Sequence, residues 1–188
     1  LYQHDVNQKA LAETLDAVVE SAVNYVGVDV NTASSALLQY VAGINSRVAG
    51  AIVTHREENG PFQQRRDLLK VKGLGAKSYE QAAGFCRIRE GSEPLDNTSI
   101  HPESYQACYA LLARLGLKKG ETIRPEEISK SWKALLDSGV QPAALAKEFG
   151  IGLPTLEDMI KNLLKPGRDP REDMPRPILR TDVLTMHD

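Results

Sequence analysis

One eight-residue phrase occurs twice in the chain, thirty residues apart: Leu38-Gln39-Tyr40-Val41-Ala42-Gly43-Ile44-Asn45 and Leu68-Leu69-Lys70-Val71-Lys72-Gly73-Leu74-Gly75. Each copy reads Leu, two spacers, Val, one spacer, Gly, an aliphatic residue, then Asn or Gly. The first Gly permits a sharp turn, Ile44 or Leu74 plugs inward between two helices, and the closing Asn45 or Gly75 is expected to take a positive φ. A helix then follows directly. Residues 31 to 89 are therefore predicted to form a tandem helix-hairpin-helix module.

The chemistry of such a turn lies in its backbone. The first amides of the helix after it, near Asn45 to Arg47 and near Gly75 to Lys77, lack partners within the helix and point outward. Together with the positive end of the helix dipole they make an anion site suited to a nucleic-acid phosphate, a contact that positions a polymer without reading its sequence. Arg47, Lys72 and Lys77 flank the turns and add charge-assisted contacts. The candidate nucleic-acid-binding residues are thus Gly43, Ile44, Asn45, Arg47, Lys72, Gly73, Leu74, Gly75 and Lys77. Two sites related by a pseudo-twofold would hold both strands of a duplex or successive turns of a folded single strand.

Around the repeat the pattern stays helical. Leu11, Leu15, Val18, Ala22 and Tyr25 recur at intervals of three and four and predict one stripe on a helix over 7–25, ended by Gly27. Asn31 is expected to cap a second helix carrying Leu37, Leu38 and Val41. A third helix over 46–58 is stopped by Asn59-Gly60-Pro61, a short one passes through Asp67 to Val71, and another runs from Ala76 to about Phe85. Further helices are predicted near 103–115, 125–138, 142–149 and 155–164, separated by Gly116, Gly139 and Gly150, with Pro102, Pro125 and Pro142 at positions where helices begin. No strand-like alternation is strong. The predicted fold is all-α: a tandem helix-hairpin-helix domain over 7–90, a linker at 91–101, a second small helical domain over 102–165, and a proline-rich extended tail from 166 to 188, with 1–6 as the tail of a preceding domain.

The net charge of −2 over 188 residues denies the chain a long-range basic field, so any attraction for nucleic acid must be local. Between Gly43 and Arg89 nine Lys or Arg (47, 56, 65, 66, 70, 72, 77, 87, 89) face four acids (57, 58, 67, 80), a surplus of five that leaves −7 for the rest. Cys86 and Cys108 show neither metal-knuckle nor disulfide spacing, which favours a reducing, cytoplasmic setting. His4, His55, His101 and His187 share no ligand spacing and read as solvent-exposed, and the neighbouring acids Glu57-Glu58 and Glu126-Glu127 point to different faces of their helices. No Walker loop, nucleophile elbow or Cys-His arrangement is present. Neither catalysis nor a cofactor or metal is expected. Trp132 and Tyr109, at helical spacing with Leu135 and Leu112, read as core rather than as base-stacking platforms. Gly150-Ile151-Gly152 is a third candidate turn; Pro154 removes an amide there and Glu157 and Asp158 would repel phosphate, so a structural turn is favoured.

Ile52 to Gly60 followed by Asp67 to Gly75 resembles the tandem module of competence DNA receptors. A broader resemblance joins Tyr2 to Val6, Gly27 to Ser34, Pro94-Leu95-Asp96, Lys165 to Arg171 and Leu179 to Leu184. On these the chain resembles the Tex family of bacterial transcription accessory proteins over essentially its whole length. That resemblance implies a longer protein with a ribonuclease-H-like domain before Leu1 and an OB-fold RNA-binding domain after Asp188, similarity to eukaryotic Spt-type elongation factors, and RNA or DNA as partner. It places the hairpin function on Gly43, Ile44 and Asn45 and on Gly73, Leu74 and Gly75. The expected function is weak, nonspecific contact with the RNA or DNA backbone within a transcription factor. The rival is a scaffold that holds flanking domains in register or meets polymerase through apolar surface.

Overall fold

A computed structural model describes residues 7–164. The tail expected at 166–188 and the short segment 1–6 lie outside the described residues.

Helix α1 (Gln8–Val26) starts at Asn7, whose side chain accepts the Lys9 amide at 3.1 Å, and stops at Gly27, whose φ of 81° lets its N–H reach the Val23 carbonyl. Its predicted stripe is present, but it faces outward: Leu11, Leu15 and Val18 are 50%, 56% and 59% exposed. The helix meets the core through Val19 and Val23, on a different side, near its C-terminal end. Asn24 fixes that contact by donating to the Tyr40 carbonyl (3.3 Å) and accepting the Ala42 amide (3.2 Å), and the Tyr40 hydroxyl donates to Asp16 at 2.6 Å. Periodicity says which residues share a face; it does not say that the chain supplies a partner for it.

The first core gathers Val30, Leu38, Ile44, Val48, Ile52, Phe62, Leu68, Leu74 and Ile88. Its ends are joined by a feature the sequence did not announce, two strands of two residues each, β1 (Val28–Asp29) and β2 (Cys86–Arg87), paired in parallel with Val28 opposite Cys86. Helix α2 is shorter than expected, Ser35–Leu38, and its cap is Ser34, whose hydroxyl accepts the Leu37 amide at 3.2 Å. Asn31 is not the cap. Its side chain instead exchanges two hydrogen bonds with the backbone of Phe62, accepting at 2.7 Å and donating at 3.0 Å, which pins the chain before α2 to the segment after α3 (Ser46–Asn59). The segment through Asp67 is a 3-10 helix, Arg65–Lys70, whose start is held by Asp67 accepting the Gln63 and Gln64 amides. Helix α4 (Ala76–Ala82) continues as a 3-10 turn over Ala83–Phe85.

Residues 91–101, expected to link two units, are folded against them. Pro94–Asn97 forms a 3-10 turn, Leu95, Asp96, Thr98 and Ile100 are buried, and the Ile88 amide donates to the Asp96 carbonyl at 3.1 Å. A second core follows, built by Leu95 of the 3-10 turn with Leu111, Ile128, Leu145, Leu156 and Leu163 from α5 (Tyr105–Arg114), α6 (Pro125–Asp137), α7 (Pro142–Glu148) and α8 (Leu153–Leu164). Pro125 and Pro142 occupy first-turn positions, and Gly116, Gly139 and Gly150 have positive φ where helices end. Trp132 and Tyr109 are half-buried against this core. Among the described residues no helix is long and apolar enough to cross a membrane.

Candidate nucleic-acid interface

The two copies of the repeated phrase adopt closely matching turns. Gly43 has φ 84° and Gly73 φ 90°; Ile44 and Leu74 are both buried, and their amides return to the carbonyls of Val41 and Val71 at 3.0 and 3.2 Å. The closing residues do not take the positive φ predicted for them. Asn45 (φ −90°, ψ 175°) and Gly75 (φ −80°, ψ 173°) are extended and serve as the N-caps of α3 and α4. The reversal of direction is complete at the first glycine, so the last residue of the phrase only has to present its carbonyl to the new helix. It does so identically, to Ala49 and to Tyr79, each at 2.9 Å.

The turns also pack reciprocally. A methyl group placed on Gly43 would come within 2.8 Å of the Ser78 carbonyl oxygen in α4 and 2.9 Å of the Gln81 Cβ, while one on Gly73 would rest 3.7 Å from the Val48 side chain in α3. Each hairpin leans on the helix that follows the other, the arrangement expected of a pseudo-twofold pair.

The caps differ in one atom set that matters. Asn45 Oδ1 accepts the Val48 amide at 2.9 Å, so of the three leading amides of α3 one is already engaged. Gly75 brings no side chain, and the amides of Ala76, Lys77 and Ser78 at the head of α4 have no side-chain acceptor. Asn45, Gly73, Gly75, Arg47, Lys72 and Lys77 are exposed, Gly43 is half-buried, and Ile44 and Leu74 lie inside as plugs. The structure therefore places all nine candidate residues in two equivalent turns, seven with their polar groups accessible or partly so and two as the packing that shapes them.

The local basic surplus is smaller than the sequence count. Arg65 is 1% exposed and bonded to backbone carbonyls, Arg56 donates to the carbonyls of Val30 (2.9 Å) and Ala33 (2.6 Å), and Arg87 donates to the Gly84 carbonyl while its guanidinium lies against Gly27. Burial pushes Arg87 down to about 10. Lys70 pairs with Asp67 at 3.0 Å and Arg89 with Asp29 at 3.8 Å. Arg47, Arg66, Lys72 and Lys77 remain exposed, with no hydrogen bond or ion pair among the described residues. Arg66 is a further exposed cation of this module; its exposure follows from the 3-10 helix, which turns Arg65 in and Arg66 out.

Elsewhere, the two described histidines have structural contacts rather than open exposure. His55 stacks on Phe62 with ring centroids 5.1 Å apart, and His101 Nε2 meets the Glu80 carbonyl at 2.7 Å while its Nδ1 accepts the Glu103 amide. Cys86 and Cys108 are buried and free, and burial pushes their thiols up to about 11 and about 12. No group of three or more His, Cys, Asp or Glu able to hold a metal ion exists among the described residues. The third Gly-x-Gly turn resembles the first two: Gly150 has φ 70°, Ile151 packs partly into the second core, and the Leu156 amide donates to the Gly152 carbonyl at 3.1 Å.

Comparison with known proteins agrees with this geometry. The family model described as "Helix-hairpin-helix motif" matches residues 23–87, and one described as "HHH domain" matches residues 93–171. The second match assigns the same architecture to the region read from sequence only as a small helical domain. The chain is 53% identical over 187 residues to "Uncharacterized protein YdcI" of Bacillus subtilis, covering all of this chain and 25% of that protein. It is 49% identical over 170 residues to "Transcriptional accessory protein Tex" of Neisseria gonorrhoeae, covering 90% of this chain and 21% of the relative. It is 33% identical over 237 residues to "S1 RNA-binding domain-containing protein 1" of Homo sapiens, covering all of this chain and 24% of the relative. The chain thus spans about a quarter of the length of the curated relatives it matches. It belongs to the Tex family, in the helix-hairpin-helix portion of those proteins.

Proposed function

We propose that this Tex-family segment binds RNA or DNA through the phosphate backbone, without sequence preference, as part of a transcription accessory factor working in a reducing, cytoplasmic compartment. The observation that carries the reading is the pair of matching turns, each opening a helix beside exposed cationic side chains that have no partner among the described residues, with the leading amides of α4 free of any side-chain cap and those of α3 capped only at Val48. Amides so placed cradle an anion while Arg47, Lys72 and Lys77, joined by Arg66, add charge-assisted contacts. Gly75, with no side chain over its amides, makes the second hairpin the stronger anchor; Asn45 makes the first the weaker. The role is one of binding and positioning, not catalysis.

With about four such cations the affinity is modest and strongly salt-dependent. Each phosphate contact contributes roughly 0.9 to the salt slope for duplex DNA and about 0.7 for single strands. The test is fluorescence anisotropy of the chain with labelled duplex DNA, single-stranded DNA and RNA, comparing the wild type with the double variant Lys72→Glu, Lys77→Glu. The double variant is expected to bind several-fold more weakly with unchanged helix content. Unchanged affinity would reject this placement of the site.

A second reading, a scaffold that meets another protein surface, has one observation in its favour: the outward apolar stripe of Leu11, Leu15 and Val18 on α1. It predicts no salt-dependent nucleic-acid binding and competes directly with the first in the same assay.

A further inference from the structure

Among the described residues the largest fully buried side chain is a cation, Arg65, and it sits between the two cores. Arg65 Nε donates to the Cys86 carbonyl at 2.7 Å, on the side of the first helix-hairpin-helix unit. Its Nη1 donates to the Ile100 carbonyl at 2.6 Å and to the Tyr105 hydroxyl at 2.8 Å, and its Nη2 to the Thr98 carbonyl, all on the side of the second. The backbone amide of Arg65 donates to Asp96 Oδ2 at 2.8 Å, and the Tyr105 hydroxyl donates to Asp96 Oδ1, so a carboxylate within the same cluster offsets the buried charge. Four of the five guanidinium N–H groups are accounted for in a planar fork that no other side chain reproduces.

We propose that Arg65 is a positioning residue that couples the two helix-hairpin-helix units into one body with a fixed mutual orientation. A guanidinium placed only to support one core would find its acceptors within that core. Here one bond reaches back to β2 and three reach forward across residues that the sequence suggests are a linker. Lesser contacts cross the same joint: Ile88 to Asp96 and Ser92 to Gln63 through the backbone, the Gln64 side-chain amide to the Ser92 hydroxyl, and His101 to the Glu80 carbonyl. None carries charge into the interior, and none spans more than one acceptor. Removing the guanidinium leaves the carbonyls of Cys86, Thr98 and Ile100 facing one another across a dry gap with no donor, a state relieved only if the units part and admit water. The proposal stands whether or not the hairpins bind nucleic acid.

Each core contains one buried thiol, Cys86 in the first and Cys108 in the second, and these serve as native reporters. Pulsed alkylation with iodoacetamide across a urea series, read at each cysteine by mass spectrometry, gives a separate unfolding midpoint for each unit. The wild type is expected to expose both thiols at one midpoint, and Arg65→Met to expose them at two. Mutual orientation is read independently by electron–electron distance measurement between nitroxides at Glu57→Cys on α3 and Lys133→Cys on α6. The distance distribution is expected to be narrow in the wild type and to broaden in Arg65→Met at zero urea while Cys86 and Cys108 stay protected, a result that mere weakening of one core does not produce. If Arg65→Met does not fold, Tyr105→Phe decides, since it removes one acceptor of the guanidinium together with a donor to Asp96: broadening with both thiols protected supports the coupling. Two midpoints in the wild type, an unbroadened distribution in folded Arg65→Met, or, where that variant does not fold, an unbroadened one in Tyr105→Phe, would overturn it.

Discussion

Replacing Asn45 separates two roles that one side chain holds at once. Its Oδ1 accepts the Val48 amide at 2.9 Å and so caps α3, a helix of 14 residues that packs Val48, Ala49 and Ile52 into the first core. Asn45→Ala removes that acceptor and also loses the cap preference of the backbone, at about 1 kcal/mol, whereas Asn45→Gly retains a good cap backbone and costs only a few tenths. For a chain of this size about 1 kcal/mol corresponds to roughly 2–4 °C in Tm, so scanning calorimetry should show Asn45→Ala falling by that amount and Asn45→Gly by about a degree or less. Binding should move the other way. In Asn45→Gly the first turn acquires the open amide set of Gly75, and the affinity for duplex or single strand is expected to rise with a steeper salt slope. The reasoning is refuted if Asn45→Ala melts with the wild type, or if Asn45→Gly binds no better while losing no more stability than predicted.

Leu74→Ala empties a buried plug between the 3-10 helix and α4, and is expected to cost about 2–5 kcal/mol by urea denaturation, with Ile44→Ala in the same range. Gly43→Ala forces a Cβ into the left-handed region and against the Ser78 carbonyl, whereas Gly50→Ala, inside α3 with open space around it, is expected to stabilise by roughly 0.5–1 kcal/mol; their opposite signs in a thermal melt check the turn assignment. The thiols of Cys86 and Cys108 sit near 11 and 12 in the folded protein against an ordinary 9.0, so above pH 9 the unfolded chain holds fewer protons and stability falls as pH rises toward 11; Cys86→Ser with Cys108→Ser should flatten that decline in urea midpoints taken from pH 8 to pH 10.5.

The repeated phrase made the module legible because each of its positions has a single physical job: a positive φ at Gly43 and Gly73, a buried plug at Ile44 and Leu74, and an exposed cap after each. Helix starts at Pro125 and Pro142 and ends at Gly27 and Gly139 were legible for the same local reason. What escaped the sequence depends on distant partners. Asn31 has the side chain of a cap but is claimed by Phe62, and Ser34 takes the role. Arg65 looks like one more surface cation until Thr98 and Ile100 close over it. The stripe on α1 is amphipathic by spacing, yet only its neighbours Val19 and Val23 meet the core. Strands of two residues carry no periodicity to read. At the third turn Pro154, Glu157 and Asp158 bear on phosphate but not on architecture, and the helix-hairpin-helix match over 93–171 includes that turn.

The proposed function rests on accessible amides at two glycine turns engaging a polyanion. Its most direct measurement is the chemical shift of the Ala76, Lys77 and Ser78 amides, in an isotope-labelled chain titrated with a short single-stranded oligonucleotide at low salt. Saturable shifts are expected at these three amides, exceeding those at Leu153 and Thr155 in the third turn and disappearing as salt is raised. Shifts confined to α1, or none at the head of α4 under conditions where the oligonucleotide binds, would contradict it.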